Sequence, residues 1–179
     1  MLIQDAANYS APELLRNGQS VEIRSLRPED EAEMLDAVEQ SSADSLHRRF
    51  FSVRRHFGEQ EIRSFMHVDF IDHVALVAVA VEDGRPSIVG GARYVVCAPG
   101  KAELAFMVPD RCQGKGLGPI LLRHLISIGR RAGLRELIAE VLPENRPMLK
   151  VLEKCGLKLS IKREGRVVSA SLSLSEDAQ

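Results

Sequence analysis

The sequence predicts a single domain of the mixed α/β class, and three observations support this prediction. The 179 residues are 45% hydrophobic, which is enough to build one core of ordinary size. Extended segments follow one another over residues 74–108, separated only by tight turns, as in an antiparallel meander. From residue 113 onward, apolar residues recur at helical spacing in segments that alternate with short strands. One layered domain accommodates all of these elements.

The first half of the chain begins with a polar segment and continues with strand and helix signals. Residues 1–19 contain the turn signal Asn17-Gly18 and are predicted to form a loose leader or a short helix before a domain over residues 20–179. Pro28 with its acidic neighbours is typical of a helix start. The pattern then predicts a strand over residues 21–26, a helix over 28–38, a helix-loop segment with a basic rim over 40–58 and a short helix over 59–66. The three meander strands are predicted over residues 74–81, 88–97 and 102–108.

The second half is organised around a glycine-rich turn, Gln113–Gly118, which reads QGKGLG. An amphipathic helix is predicted after it and ends before Gly133, since glycine is favoured just beyond a helix. This helix is predicted over residues 120–132, a strand over 136–141 and a second helix over 145–155. A closing hairpin is predicted with strands over residues 159–164 and 167–174.

Charge, hydropathy and cysteine usage exclude several classes of protein. The 24 Lys+Arg and 25 Asp+Glu give a net charge of −1, so nothing favours nucleic acid or a membrane surface as a partner. The longest apolar run, Val74–Val81, is far shorter than the ~20 residues that span a bilayer. No secretory signal is recognisable at the start of the chain. Cys97, Cys112 and Cys155 are too widely spaced for a CxxC site, and the histidines lack metal-ligand spacing. We therefore expect a cytoplasmic protein without a metal.

The glycine-rich turn is the main candidate for a binding site. The first amides of a helix have no internal acceptor and favour an anion, and glycines allow phosphate oxygens to approach the backbone. The alternative is that these are ordinary glycines in a strand-to-helix loop. The turn lacks the final Lys-Ser/Thr of a mononucleotide P-loop, and an antiparallel meander precedes it, which argues against a Rossmann unit.

The stretch Ala102–Lys158 resembles the core of the GNAT superfamily of N-acetyltransferases. The superfamily's turn motif, (Q/R)xxGx(G/A), falls on Gln113, Gly116 and Gly118, and the later ENxxMLxxxEKxGL pattern falls on Glu144–Leu157. The AELAF strand and the upstream SLHRRFF segment are most similar to the acetyltransferase domain of bacterial Pat-type protein lysine acetyltransferases. The resemblance implies the GNAT fold, a central, mostly antiparallel, twisted sheet of about seven strands flanked by helices.

The resemblance also implies acetyl-CoA as the acetyl donor and a primary amine as the acceptor. We expect the side chain of a protein lysine to be the acceptor, and the alternatives are a small-molecule amine or a catalytically silent module that only binds acyl-CoA. The pyrophosphate would lie on the amides of the glycine-rich turn and the pantetheine arm along the AELAFMV strand. The implied cofactor-binding residues are Phe106, Met107, Val108, Gln113, Gly114, Lys115, Gly116, Leu117, Gly118, Asn145, Met148 and Leu152.

Glu103 is the leading candidate for the catalytic base. An amine is protonated near neutral pH and must lose a proton before it attacks, and Pat-type domains use a glutamate in the matching position of the strand. The alternative is a surface carboxylate paired with Lys101 or Arg93. Many superfamily members have a tyrosine that protonates the leaving thiolate; here that position is Leu152, so the general acid is unassigned.

Overall fold

The computed structural model describes residues 5–50 and 57–175, which form an eight-stranded sheet with helices on both faces. The strands are β1 (Ser10–Leu14), β2 (Ser20–Ser25), β3 (His73–Glu82), β4 (Arg85–Ala98), β5 (Lys101–Met107), β6 (Glu136–Val141), β7 (Leu159–Glu164) and β8 (Val167–Ser173). The helices are α1 (Glu31–Glu39), α2 (Ala43–Phe50), α3 (Glu59–Met66), α4 (Leu117–Arg131) and α5 (Arg146–Glu153). Within these ranges no helix has both the length and the hydropathy that crossing a bilayer requires.

The strand order is β1-β2-β3-β4-β5-β6-β8-β7, and every neighbouring pair is antiparallel except β5 and β6. These two parallel strands pair only from Lys101 with Glu136 to Glu103 with Ile138. Beyond that point both strands continue without pairing to each other, β5 to Met107 and β6 to Val141. The sheet is therefore split along its middle, and the split leaves one edge of β5 without a strand neighbour.

Strand alternation divides the core into two layers. On one face, side chains of β5 such as Ala102 and Leu104 pack with the apolar side of α4, including Leu121 and Leu125. On the other face, a smaller cluster around Val77 lies beneath the apolar residues of α1 and α3, among them Met34 and Met66. The predicted mixed α/β class, the meander β3–β5, the two helices after the glycine-rich turn and the closing hairpin are all confirmed.

The expectation of a loose leader or short helix over residues 1–19 is wrong for residues 10–14. They form β1, which pairs antiparallel with β2 from Ser10 with Arg24 to Leu14 with Ser20. This strand makes the sheet one strand larger than the predicted seven. Pro12 lies within it, a residue tolerated in a sheet chiefly at an edge, and β1 is an edge strand. The segment SAPEL becomes a strand because β2 supplies a partner, and its own strand propensity is low.

A chain of polar contacts attaches β1 to α4. The Tyr9 hydroxyl is hydrogen-bonded to Nδ1 of His124, and both side chains are buried. Nε2 of His124 lies 2.7 Å from Oε1 of Glu13, and because a carboxylate can only accept, this ring nitrogen is the donor. Burial alone would raise the pKa of Glu13, but hydrogen bonds from Arg123 and His124 lower it overall. The contacts connect the first strand to the helix that follows the glycine-rich turn.

A buried ion pair connects β2 to the start of α1. The guanidinium of Arg24 donates to both carboxylate oxygens of Asp30 at 2.8 Å, and the backbone amide of Arg27 donates to Asp30 at 2.8 Å. Asp30 is only 5% exposed and Arg24 only 9%. Burial alone would raise the pKa of Asp30, but these hydrogen bonds lower it below its ordinary value. The pair sets the position of α1 against the sheet.

We expect Asp30→Ala to lower the free energy of unfolding by about 3–5 kcal/mol, because it leaves the Arg24 guanidinium buried without a counter-charge. Chemical denaturation at neutral pH measures the change. Exposed Glu29 is the matched control, and Glu29→Ala should change stability by no more than about 0.5 kcal/mol. Equal stability of the two variants would contradict the assignment.

The same substitution has a pH signature. Since the folded pKa of Asp30 is lowered, its carboxylate contributes stability above the ordinary aspartate pKa of about 3.9, and this contribution is lost as pH falls through the folded value. The deficit of Asp30→Ala relative to the wild-type protein should therefore shrink in acid.

Candidate active site

The split between β5 and β6 opens into a cleft of about 790 Å³. One wall is the free edge of β5, from Glu103 to Val108, and the opposite wall is formed by residues 139–141 of β6 and by α5. The glycine-rich turn and the first residues of α4 form one end. Because no strand pairs with β5 beyond Glu103 on this side, backbone groups there remain available to a ligand.

The glycine-rich turn has the backbone conformation that an anion site requires. Gly114 and Gly116 have φ values of +75° and +86°, a region that favours glycine. The amide of Ile120 bonds to the carbonyl of Gly116 across the first turn of α4. The amides of Leu117 and Gly118, which precede Ile120 in the helix, have no helical acceptor. Pro119 contributes no amide, because proline has no N–H. The helix dipole adds positive potential at the same place.

Most of the predicted cofactor-binding residues line this cleft. Those that do are Phe106, Met107, Val108, Gln113, Gly114, Gly116, Leu117, Gly118, Asn145 and Met148. The expected cofactor contact of Leu152 is wrong, because this side chain is fully buried in the core and α5 presents Val151 to the cleft instead. Lys115 also lies outside the lining, and its backbone carbonyl accepts a hydrogen bond from the amide of Arg16 at 3.0 Å.

Gln113 and Asn145 are both engaged in contacts within the protein. The Gln113 amide nitrogen donates to Oγ of Ser45 at 2.9 Å and to the carbonyl of Val108 at 3.0 Å, which joins α2 to the turn. The side-chain oxygen of Asn145 accepts from the amide of Met148 at 3.3 Å and caps α5. The two residues therefore shape the cleft, and their contact with a cofactor stays a prediction.

Glu103 lies at the point where β5 and β6 separate, and its carboxylate has no hydrogen bond or ion pair within the described ranges. The alternative of a surface pair is wrong. Lys101 pairs with Glu136 at 3.3 Å, and Arg93 donates to the carbonyl of Phe65 at 2.8 Å. The carboxylate is thus available at the surface of the cleft.

The surroundings of Glu103 raise its pKa. The main cause of the raised pKa is partial burial of the side chain within the cleft, although it still reaches solvent. The nearby carboxylate of Glu140 also raises the pKa of Glu103, and the positive charge of Arg49 lowers it. Arg49 lies close to Arg93, whose pKa is lowered to about 10 by burial and by this neighbouring guanidinium. The face of the sheet on which Glu103 lies is therefore rich in positive charge.

A smaller apolar cavity of about 80 Å³ lies between the sheet and the helices α1 and α3. Ala105, Met107 and Arg49 line both this cavity and the cleft. Ala105 and Met107 alternate with Glu103 on the same face of β5. The cleft and the apolar cavity therefore lie next to each other at the segment of β5 that contains Glu103.

Several residues that line the cleft were not predicted from the sequence. They are Arg16, Ser45, Arg49, Ala139, Glu140, Lys150, Val151 and Lys154, among others. Lys150 lies on α5 and Lys154 is the C-terminal cap of this helix, four residues later, so the spacing could have suggested them. Nothing in the sequence near the glycine-rich turn suggested Arg16, because the residue is about a hundred positions away.

No general acid is found among the tyrosines. Neither Tyr9 nor Tyr94 lines the cleft. The hydroxyl of Tyr94 is buried without a partner in the described part of the chain, and burial raises the pKa of Tyr94 to about 12. Across residues 5–50 and 57–175, no cluster of three His, Cys, Asp or Glu side chains could hold a metal ion.

The split sheet, the glycine-rich helix start and the available carboxylate agree with an acetyl-transferring enzyme. The chain belongs to the GNAT family of acetyltransferases, whose sequence profile matches residues 40–157. Because this family uses acetyl-CoA, the chain is an acetyl-CoA-dependent N-acetyltransferase, and the predicted acetyl donor is confirmed.

Individual relatives agree with this assignment. Acetyltransferase PA5475 of Pseudomonas aeruginosa is 34% identical over 137 residues, which are 76% of this chain and 74% of that protein. Acetyltransferase Pat of Mycolicibacterium smegmatis is 31% identical over 147 residues, which are 81% of this chain and 43% of Pat. The chain thus spans less than half of Pat. The crystal structure of the GNAT domain of S. lividans PAT matches with a TM-score of 0.82 at 31% identity, over 92% of this chain and 96% of that one.

We expect Gly118→Val to weaken acetyl-CoA binding by about tenfold or more, because its branched side chain would meet Val151 and narrow the cleft beside the first amides of α4. Gly118→Ala is the matched control. A Cβ there would lie 3.4 Å from Val151, an ordinary contact, and the turn motif accepts alanine. Titration calorimetry measures both affinities, and both variants should keep the wild-type circular dichroism spectrum. Undiminished binding by Gly118→Val would contradict this role of the turn.

Proposed function

We propose that the chain transfers the acetyl group of acetyl-CoA to the side-chain amine of a protein lysine, with Glu103 as the general base. The principal observation in support is the carboxylate of Glu103, which has no partner in the described ranges and lies where β5 and β6 separate. The donor and the acceptor would meet at this point, one from each side of the sheet.

Different residues of the cleft would bind different parts of the donor. Amides at the start of α4 suit the pyrophosphate, since they are unpaired donors in a positive helix field. The free edge of β5 suits the amide-rich pantetheine arm, because both partners offer backbone-like hydrogen-bonding groups. An amide of Phe106, Met107 or Val108 would donate to the thioester oxygen and stabilise the negative charge that develops there.

Glu103 would supply the proton transfer. Glu103 accepts a proton of the lysine ammonium, directly or through a water, and the neutral nitrogen then attacks the thioester carbon. The carbon–sulfur bond breaks, and the second proton that the nitrogen loses passes to the departing sulfur of coenzyme A or to solvent. Thiols have a pKa of about 8.5, so coenzyme A leaves as a thiolate without a dedicated acid. The raised pKa of Glu103 makes its carboxylate a stronger base than that of an ordinary glutamate.

A protein lysine is favoured over a polyamine by the charge near Glu103. Arg49 and Arg93 line the adjoining cavity, so a substrate with several amines would meet two guanidiniums on its approach. A lysine presents a single cation on a long apolar stem, and that stem suits the apolar lining formed by Ala105 and Met107. The resemblance of the AELAF strand to that of bacterial Pat-type protein lysine acetyltransferases supports the same class of acceptor.

A matched panel of acceptors tests the proposal. Isotope-labelled acetyl-CoA is supplied with folded proteins, lysine peptides, spermidine and free amino acids, and mass spectrometry locates the label. We expect label on lysine side chains of proteins or peptides and much slower transfer to spermidine. Preference for spermidine or an amino acid would replace the lysine proposal by a small-molecule acetyltransferase. Binding of acetyl-CoA without transfer to any acceptor would support the silent module.

We expect Glu103→Gln to lower turnover at neutral pH by about 10²–10⁴-fold while acetyl-CoA affinity stays nearly unchanged. Glutamine keeps the size and polarity of the side chain but cannot accept the proton. Because Glu103 must be ionised to act, wild-type turnover should rise as pH increases through its raised pKa. The defect of the variant should shrink toward the pKa of the amine, where free amine is abundant.

Glu140→Gln is the control, since it makes the same chemical change in the same cleft. Removing the Glu140 charge removes one cause of the raised pKa of Glu103, so the acid limb of the pH–rate profile should move to lower pH with turnover retained. An unchanged rate in Glu103→Gln, or an equal loss in both variants, would refute the role of Glu103 as the base.

A further inference from the structure

The turn between β1 and β2 brings Arg16 against the glycine-rich turn. Leu15 is buried, and its amide bonds to the carbonyl of Gln19 at 2.9 Å, while the amide of Gly18 bonds to the carbonyl of Leu15 at 2.9 Å. The amide of Arg16, the residue after Leu15, donates to the carbonyl of Lys115 at 3.0 Å. The backbone of Arg16 is thus attached to a residue of the turn itself.

The Arg16 side chain lies over Gly116. A Cβ added to this glycine would come within 3.1 Å of Nε and 3.2 Å of Cγ of Arg16, so the arginine occupies the space directly beside the turn. The side chain also lines the cleft, and no carboxylate of the described ranges forms an ion pair with it. A cation beside a helix N-terminus is unfavourable by itself, because the end of the helix dipole there is also positive. An anion bound between them would reverse this repulsion.

The first strand, which precedes Arg16, is attached to the same helix as the glycine-rich turn. The contacts from Tyr9 to His124 and from Glu13 to His124 and Arg123 attach β1 to α4, the helix whose first residues form the end of the cleft. Arg16 and the amides of α4 therefore belong to one connected unit. Because the backbone of Arg16 is already in position, only side-chain freedom is lost when the guanidinium binds an anion.

We propose that Arg16 binds a phosphate group of acetyl-CoA, so that the segment predicted as a leader forms part of the donor site. Lys150 on α5 and Lys154 at the end of this helix line the facing wall, and the three cations suit the phosphate-bearing half of the molecule. A guanidinium can contact phosphate oxygens through two parallel hydrogen bonds. Both the pyrophosphate and the 3′-phosphate present this chemistry. The proposal depends on acetyl-CoA binding and is independent of the acceptor and of Glu103.

Titration calorimetry with two donors tests the proposal. Arg16→Met removes the charge and keeps an unbranched stem over Gly116, and we expect it to weaken acetyl-CoA binding by about tenfold to a hundredfold. The loss should decrease at high salt, since screening weakens the charge contribution in the wild-type protein. Repeating the titration with 3′-dephospho-acetyl-CoA identifies the phosphate. An equal loss with both donors indicates the pyrophosphate, and a loss with acetyl-CoA alone indicates the 3′-phosphate.

Arg166→Met is the control for net charge, because Arg166 is exposed in the β7–β8 turn outside the cleft. It should bind both donors as the wild-type protein does. The melting temperature without ligand should be similar for both variants, which separates the loss of a ligand contact from a loss of folding. Unchanged affinity in Arg16→Met, or a loss no larger than that in Arg166→Met, would overturn the proposal.

Discussion

The separation of two parallel strands is the constraint on which the rest of this structure depends. β5 and β6 pair only as far as Glu103 and Ile138, and beyond that point each strand has one edge without a strand partner. Unpaired backbone groups are costly in a protein interior unless solvent or a ligand satisfies them. The split therefore produces a cleft with hydrogen-bonding walls, and it places Glu103 at the last paired position. The proposed donor site and the position of the proposed base both follow from one feature of the sheet.

The first strand has a larger role in this enzyme than its place at the edge of the sheet suggests. It pairs with β2 on one side, and Tyr9 and Glu13 attach it through His124 to α4. The turn that follows it contacts the glycine-rich turn through the hydrogen bond from the amide of Arg16 to the carbonyl of Lys115. An element remote in sequence thus reinforces the end of the cleft where an anion is expected, and it connects folding of the N-terminal segment to the geometry of the donor site.

Local patterns predicted the parts of the site that lie close together in the sequence. The spacing of Gln113, Gly116 and Gly118 indicated a turn before a helix, and strand alternation put Glu103 on the face opposite Ala102 and Leu104. The family resemblance did not assign Leu152 correctly. It lies next to Val151, which lines the cleft, and the rotation of α5 against the core decides which of the two side chains is exposed to it.

The sequence by itself determined the mixed α/β class, the meander, the glycine-rich turn before a helix and the family, because each depends on residues near one another in the chain. Only the tertiary structure decided that residues 10–14 form a strand, that Arg16 meets Gly116, and that Glu103 lacks the partners Lys101 and Arg93. These facts depend on contacts between segments that are distant in the sequence. Such contacts are selected by packing and by competition among charged partners, and short-range propensity contains no information about either.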